Sequence, residues 1–489
     1  MIKRYEIRSR DHRASARPPW IVIAAVILPA LFVLCSCANR ERGVRADGSI
    51  VLEYWDFPHL PLVNAYIQEA ITRFEAANPG VKIRYTRLPW QDGQQKVMLS
   101  VNSGRPPDVC GQVNVSPSFI AQDMLEPLND YLRDDLADFH PSYIEAVTFR
   151  GKIYAVPWYK ACYVALLNLD LFGKFGVQPP RQGRWTWDEF VSKMRALTKY
   201  EPAEKKQYYG LVTNLGPMEY EAYSIIYNFG GRVLEQAADG RIVSGLESPR
   251  FVEGVRRLAS LEFDEKVAMP GIGAMTQEQS WNVWRDTRAC AVTFQGAWCI
   301  TACQTANEAI ERTNDKKRRA GRTSECEQPL RWAVAAPPSD GNTTPVLGSS
   351  GLGTFVVFKQ NDARRRDAAA RFVKHLVSGE GQRVLKYENV YPSRISTGNP
   401  WAEDPQLGPV FALFPDGVMY PLIPGSERID KVLQQEIQKA VLRDSAAGKP
   451  QASPRQAAGA ADIKVNAILE RASRRYGGAA AATLPGQAP

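Results

Sequence analysis

A chain of 489 residues that is 44% hydrophobic and 23% charged is long enough for two domains with large cores and too apolar to be disordered throughout. Only four histidines (His12, His59, His140, His375) and no cysteine pair at Cys-x-x-Cys spacing leave a zinc site without ligands. The net charge of +9 drops to +5 without residues 1–36, which hold six Lys/Arg against two Asp/Glu; the remaining basic runs, DKKRRAGR and ARRRDAAAR, read as solvated loop and helix faces, not as a nucleic-acid surface.

The first predicted element is an apolar run from Trp20 to Leu34, broken by Pro29 and preceded by Lys3, Arg4, Arg8, Arg10, Arg13 and Arg17. At about 15 residues it falls short of the roughly 20 that span a bilayer. A basic arm, a short apolar run and small residues after it make a secretory signal. An uncleaved helix anchor is the alternative, and both place the rest of the chain outside the cytoplasmic membrane. Six cysteines follow Cys37, and there they can pair. Cys303 and Cys326 flank the polar stretch NEAIERTNDKKRRAGRTSE and are candidates to staple it, although connectivity does not follow from sequence.

Residues 38–48 form a polar tether. GSIVLEYWDF predicts a strand, and VNAYIQEAITRFEAANPG a helix with Ile67, Ala70, Ile71 and Phe74 on one stripe, stopped by Asn78-Pro79-Gly80. VKIRYTRL alternates as a strand, QDGQQKVMLSVNSG follows as a polar helix, and PPDVCGQV as a further strand. This order predicts a parallel sheet covered by helices, with ligands at the C-terminal ends of strands. Trp55, Asp56, Gln112 and Asn114 stand at such ends.

GKIYAVPWYKACYVALLNLDLF predicts two short strands leading into a helix. TWDEFVSKMRALTK predicts a helix with Thr186 and Glu189 as a capping box. RACAVTFQGAWCI reads as a strand ending at Gly296 and Trp298, and RWAVAAPPSDG and GLGTFVVFK as strands. DAAARFVKHLVS is a helix with Ala369, Phe372, Val373 and Leu376 on one stripe. The last helices are ERIDKVLQQEIQKAVLRD and ADIKVNAILERASRRY, and the Ala/Gly/Pro-rich linker between them and the tail 477–489 are expected to be mobile.

No phosphate-binding loop, dinucleotide fingerprint, His-Glu-x-x-His or Gly-x-Ser-x-Gly elbow occurs in the sequence, so an enzyme has no motif behind it. An ordered set of phrases does occur: RFEAANPGVKI, SGRPPDV, DMLEPLNDYL, GKIYAVPW, LNLDLFGKFGV, TWDEF, FQGAW, WAVAAPP and RFVKHLVSGEGQ. From about Ile50 to Tyr476 the chain resembles the extracellular solute-binding proteins of ABC transporters, in particular the maltose-type sugar-binding group. Ahead of it, Leu34-Cys35-Ser36-Cys37 resembles a bacterial lipobox, with Cys37 the lipidated residue.

The resemblance implies a two-lobed α/β periplasmic-binding-protein fold of class II type, with the ligand between the lobes. Crossings are expected near Leu125–Leu128, Val346–Gly351 and Tyr387–Pro392. The implied division is a signal peptide at 1–36, a tether at 37–47, a first lobe of 48–127 plus 352–388, and a second of 128–347 plus 389–476. It implies a carbohydrate ligand, ABC permease subunits as partners and a membrane link through the N-terminal lipid in the cell envelope. It implies a monomer, with no cofactor, no metal and no nucleic acid. A polyol phosphate or peptide ligand, an extracellular polysaccharide-cleaving enzyme, and a sensor or scaffold lipoprotein of the same fold stay open.

Sugar hydroxyls need a fan of donors and acceptors, and sugar C–H faces stack on aromatic rings. By position in the family pattern the candidate ligand residues are Trp55 and Asp56 after the first strand, Gln112 and Asn114 after the third, and Trp158 after Pro157. Further along come Glu219, Tyr220 and Tyr223, then Trp298 in QGAW as the sugar-stacking residue. Gly348, Ser349 and Ser350 at a crossing and Ser426 complete the set. Tyr220 and Tyr223 read equally as core residues, and core packing is the lesser alternative for Trp55 and Trp298, because large aromatics bury area wherever they stand.

Overall fold

The computed structural model describes residues 48–112, 119–120, 122–216, 219–419 and 423–476. Cys37 and Asn114 lie outside them. The main sheet is built from β1 (Ile50–Asp56), β2 (Val81–Arg87), β3 (Val109–Gly111), β4 (Val156–Asn168), β5 (Lys206–Val212), β6 (Cys290–Gly296), β7 (Trp332–Ala335) and β8 (Gly348–Val357). Its order is β2-β1-β3-β8-β4-β6-β5, ending on the short strand Lys199–Glu201, with β7 pairing β4 beside this path.

β1 pairs with β2 in parallel from Ile50 opposite Val81 to Asp56 opposite Arg87, and with β3 in parallel on its other side. The helix Pro61–Ala77 that joins β1 to β2 buries Ile67, Ala70, Ile71 and Phe74, the stripe that 3.6-residue spacing predicts. The helix Ala363–Leu376 buries Ala369, Phe372, Val373 and Leu376 in the same way. Its first turn is not simply a solvated face: Arg365 makes a bidentate pair, 2.6 Å to each oxygen, with buried Asp108 ahead of β3. That fork geometry fixes the helix to the sheet.

The segment expected as two short strands holds the two-residue strand Lys152–Ile153 and then one thirteen-residue strand, β4, buried at every position. Its first half pairs with β8 and its second half with β6 and β7. Cover on both faces is what a continuous run of apolar residues requires. β4 also divides the core. Val156, Trp158, Tyr159 and Ala161 join a first cluster with Leu52, Phe57 and Phe372. Tyr163, Ala165 and Leu167 join a second with Phe190, Leu211 and Phe294, and Cys162, Val164 and Leu166 a third with Leu347 and Trp401; the second and third clusters make up the second half.

The first crossing expected at Leu125–Leu128 is therefore moved to β4. Leu125 bridges Phe358, Leu128 N–H donates to Ile153 O, and Leu125 through Tyr154 pack in the first cluster. The other crossings are β8, from Leu347 in the second half to Phe355 in the first, and the segment between Val390 and Trp401.

Two expectations for local chemistry are corrected. Cys303 and Cys326 are not bonded. The stretch between them is closed by asparagines: Asn314 donates to Glu327 O at 2.8 Å and accepts from Glu327 N at 2.9 Å, and Asn307 does the same with Leu330. Thr186 accepts from Glu189 N at 3.2 Å, but Glu189 turns to Lys193 and does not reach back; complete capping boxes are made by Thr276 with Gln279 and by Ser453 with Gln456. Among the described residues no helix is long and apolar enough to cross a membrane.

Candidate interlobe binding site

Strand directions locate the site. β3 runs antiparallel to β8 and β8 antiparallel to β4, so β3 points along β4 towards the second half. β6 runs antiparallel to β4, so it points back towards the first. Gln112 N–H, just past β3, donates to Thr354 O, and Thr354 pairs with Pro157. Gly296, the end of β6, pairs with Tyr163. The two sets of strand ends thus face each other across residues 157–163 of β4, roughly 20 Å of strand. The crossing strands β4 and β8 run between these two sets of strand ends, and strand ends are the position where α/β sheets bind ligands.

On the first wall Gln112 has φ 57°, left-handed backbone that a non-glycine residue adopts only when its surroundings hold it. Gln94 Nε2 donates to its carbonyl at 3.0 Å, and Tyr159 OH donates to its Oε1 at 2.8 Å. Its Nε2 is buried and has no hydrogen-bond partner among the described residues. Tyr159 lies flat on Gly353, where a Cβ would meet the ring at 2.4 Å.

On the second wall Trp298 lies over Gly296, where a Cβ would fall 1.9 Å from its six-membered ring. Its edge meets Tyr163 with centroids 6.4 Å apart. Any larger residue at 296 would lift the indole off its seat. Behind it stands a buried polar group. Asn214 Nδ2 donates to Glu219 and Glu221 at 2.9 Å each, Ser280 donates to Asn214 Oδ1 at 2.9 Å, and Gln295 donates to Ser280 at 2.9 Å. Burial pushes the Glu221 carboxyl up to about 7, partly offset by its hydrogen bonds, and raises that of Glu219 as well. Thr213 Oγ1 and Gln295 Oε1 have no partner among the described residues.

The structure sorts the predicted residues. Gln112 and Trp298 stand at the facing strand ends, with Glu219 half-buried beside the second wall and Trp55 half-buried against the first core. Asp56 is corrected from ligand contact to support. It is fully buried, accepts hydrogen bonds from Tyr54 OH and from Phe57 N at 2.8 Å, and occupies the space beneath Gly111. His59 stands between Asp56 and Glu388. Burial opposes its protonation, but Glu388 and then Asp56 outweigh burial and hold it at about 10.

Trp158 is likewise corrected to a core residue, 0% exposed, with its indole N–H donating to Gly381 O. Gly348 and Ser349 spend their polar groups internally, on Ser224 Oγ and Ala161 O, while Ser350 is exposed. Ser426 closes on the Ile423 backbone at the start of the helix Ser426–Glu436. Tyr220 and Tyr223 are buried and edge-on, with Tyr220 OH on Asp430; with Glu219 they line a narrow cavity.

Sequence reasoning missed Tyr159, Asn214, Glu221 and Gln295. Tyr159 was hidden inside an apolar run, and Glu221 stands only two residues beyond Glu219. The groups at these strand ends that are not fully buried, Gln112, Glu219 and Trp298, are an amide, an acceptor and a flat aromatic face, types that suit a polyhydroxylated ligand. Among the described residues no cluster of His, Cys, Asp or Glu is arranged to hold a metal ion.

The chain is similar over nearly its full length to proteins of known class. A Brucella abortus (strain 2308) protein named only as a binding protein is 24% identical over 457 residues, 91% of this chain and 98% of its own. The cyclic alpha-maltosyl-1,6-maltose binding protein of Arthrobacter globiformis superposes with a TM-score of 0.68 at 20% identity, covering 87% of this chain and 100% of that one. An ABC substrate-binding protein of Listeria monocytogenes, solved in complex with cycloalternan, superposes with a TM-score of 0.65 at 18% identity, covering 86% and 99%. These structures share the two-lobed fold. A family model matches residues 69–409, and the chain belongs to that family, the bacterial extracellular solute-binding proteins.

Proposed function

We propose that this protein captures a carbohydrate between its lobes, delivers it to an ABC permease, and makes and breaks no bond in it. The observation that carries the reading is the pairing of a stacked aromatic on one wall, Trp298 on Gly296, with an amide donor on the other, Gln112 Nε2, that has no partner among the described residues. The likeness to proteins solved or named with cyclic oligosaccharides supports it. Ligand joins the walls, favours the closed form, and the closed form is what the permease meets. Cys37 carries the lipid that keeps the protein at the outer face of the cytoplasmic membrane or on the cell surface.

A thermal-shift screen of the purified protein against monosaccharides, oligosaccharides, polyols and peptides tests this. Ligand at about a hundred times its dissociation constant adds roughly 2.7 kcal/mol. A sugar that raises Tm and is recovered intact is the expected result. A sugar that is consumed would establish the extracellular enzyme instead. A shift with peptides alone would replace the ligand class. Loss of detergent-phase partitioning in Cys37→Ser tests the anchor.

A further inference from the structure

We propose that Trp90 is a second stacking platform, at the outer mouth of the cleft, which selects ligands longer than one sugar ring; this rests on the carbohydrate reading above. Trp90 follows β2 and is 55% exposed, among the most exposed large apolar side chains of the chain. It is nevertheless held in place. Its ring stacks on Phe57 at 4.6 Å between centroids and 29° between planes, and its indole N–H donates to Pro58 O at 3.2 Å. Phe57 is itself fully buried and so closely enclosed that a Cβ on Gly93 would meet its ring at 2.5 Å. One indole face is therefore covered, its polar edge is satisfied, and the rest of the ring is presented to solvent. A large aromatic fixed in this way contributes little to a core and offers a flat, preorganised surface to a partner.

Its place in the fold identifies the partner. Phe57 directly follows Asp56, the end of β1, and Gln94 reaches the Gln112 carbonyl at the end of β3. The turn carrying Trp90 is thus fastened to both neighbouring strand ends of the first wall. β2 is the edge strand, two places beyond β3 in the sheet order, so Trp90 stands about 10 Å further from the crossings than Gln112 by strand spacing. Trp298 lies on the opposite side of Gln112. A single ring seated between Gln112 and Trp298 does not extend to Trp90, and an oligosaccharide does.

The test is calorimetric titration of full-length wild type, Trp90→Ala and Trp90→Phe with a panel of monosaccharides and their linear and cyclic oligomers. Trp90→Ala is expected to cut the preference for a bound oligomer over its monosaccharide about tenfold, with Trp90→Phe retaining most of it and both variants still folded at the assay temperature. An oligomer bound equally by wild type and Trp90→Ala overturns the proposal and leaves the carbohydrate reading standing. Equal loss for monosaccharide and oligomer overturns length selection. A wild type that binds no sugar of the panel overturns the carbohydrate reading, and this proposal with it.

Discussion

His59 Nδ1 stands 3.0 Å from Glu388 Oε2, joining the loop after β1 to the helical turn just before the third crossing, over 329 positions of sequence. The imidazole also faces Asp56 at 3.4 Å, so one cation separates two buried carboxylates. Replacing it with glutamine leaves those charges without a counterion, and His59→Gln is expected to lower stability by about 3–5 kcal/mol. Its pKa is raised from 6.5 to about 10, so its contribution is complete below the unfolded value and is lost as pH rises through about 10. Urea unfolding of both proteins at pH 6 and pH 10 checks this: the gap between them is wide at pH 6 and narrows at pH 10. A constant gap would show that the imidazole acts by packing.

Glu221 predicts the opposite economy of charge. Burial raises its carboxyl from 4.5 to about 7. A raised acid stabilises the fold fully below pH 4.5, and that contribution is lost as pH rises through about 7. Glu221→Gln keeps an acceptor for Asn214 and never ionises. It is expected to be more stable than wild type at pH 8, by up to about 3 kcal/mol, and equal to it near pH 4. Denaturant midpoints at the two pH values decide it.

What was legible in the sequence was what local spacing controls. The stripe of Ile67, Ala70, Ile71 and Phe74 and the order of strands and helices required only periodicity. The aromatic over a glycine was visible in QGAW, although its reason, the ring resting on the missing Cβ of Gly296, was not. Long-range pairing escaped. Nothing near His59 announces that Glu388 faces it, nor anything near Arg365 that Asp108 awaits it. The continuous course of β4 depends on β8 and β6 arriving from residues far downstream to cover it.

The cysteines give a chemical test of the fold. Burial pushes the thiols of Cys162, Cys290 and Cys303 up to about 12 and raises those of Cys110 and Cys299 too, whereas Cys326 is half-exposed. Thiolate is the reactive form. Brief iodoacetamide treatment of native protein at pH 8 is expected to label Cys326 ahead of the other five, with all six labelled after denaturation, as read by peptide mass mapping. Reductant should leave Tm and electrophoretic mobility unchanged. A mobility shift on reduction, with Cys303 and Cys326 recovered in one linked peptide before it, would show that they pair after all.

Trp298 and Gly296 form a unit that separates binding from folding. The indole is half-buried at the head of the helix Cys299–Arg319, so truncating it leaves the second core largely intact. Trp298→Ala is expected to weaken ligand binding by about 1–3 kcal/mol, the range for a stacked aromatic anchor. Gly296→Ala keeps the indole but places a methyl group where its ring lies, 1.9 Å away. The ring must leave its seat, so this variant should lose affinity to a similar degree while every atom of Trp298 remains. Titration with the best ligand of the screen, alongside Tm, reads both. Loss of affinity in Trp298→Ala alone would show that the ring works from any orientation. Unchanged affinity in both, with folded protein, would remove Trp298 from the site. Loss in both with Tm preserved would establish that the ring must lie on Gly296 for the second wall to hold its ligand.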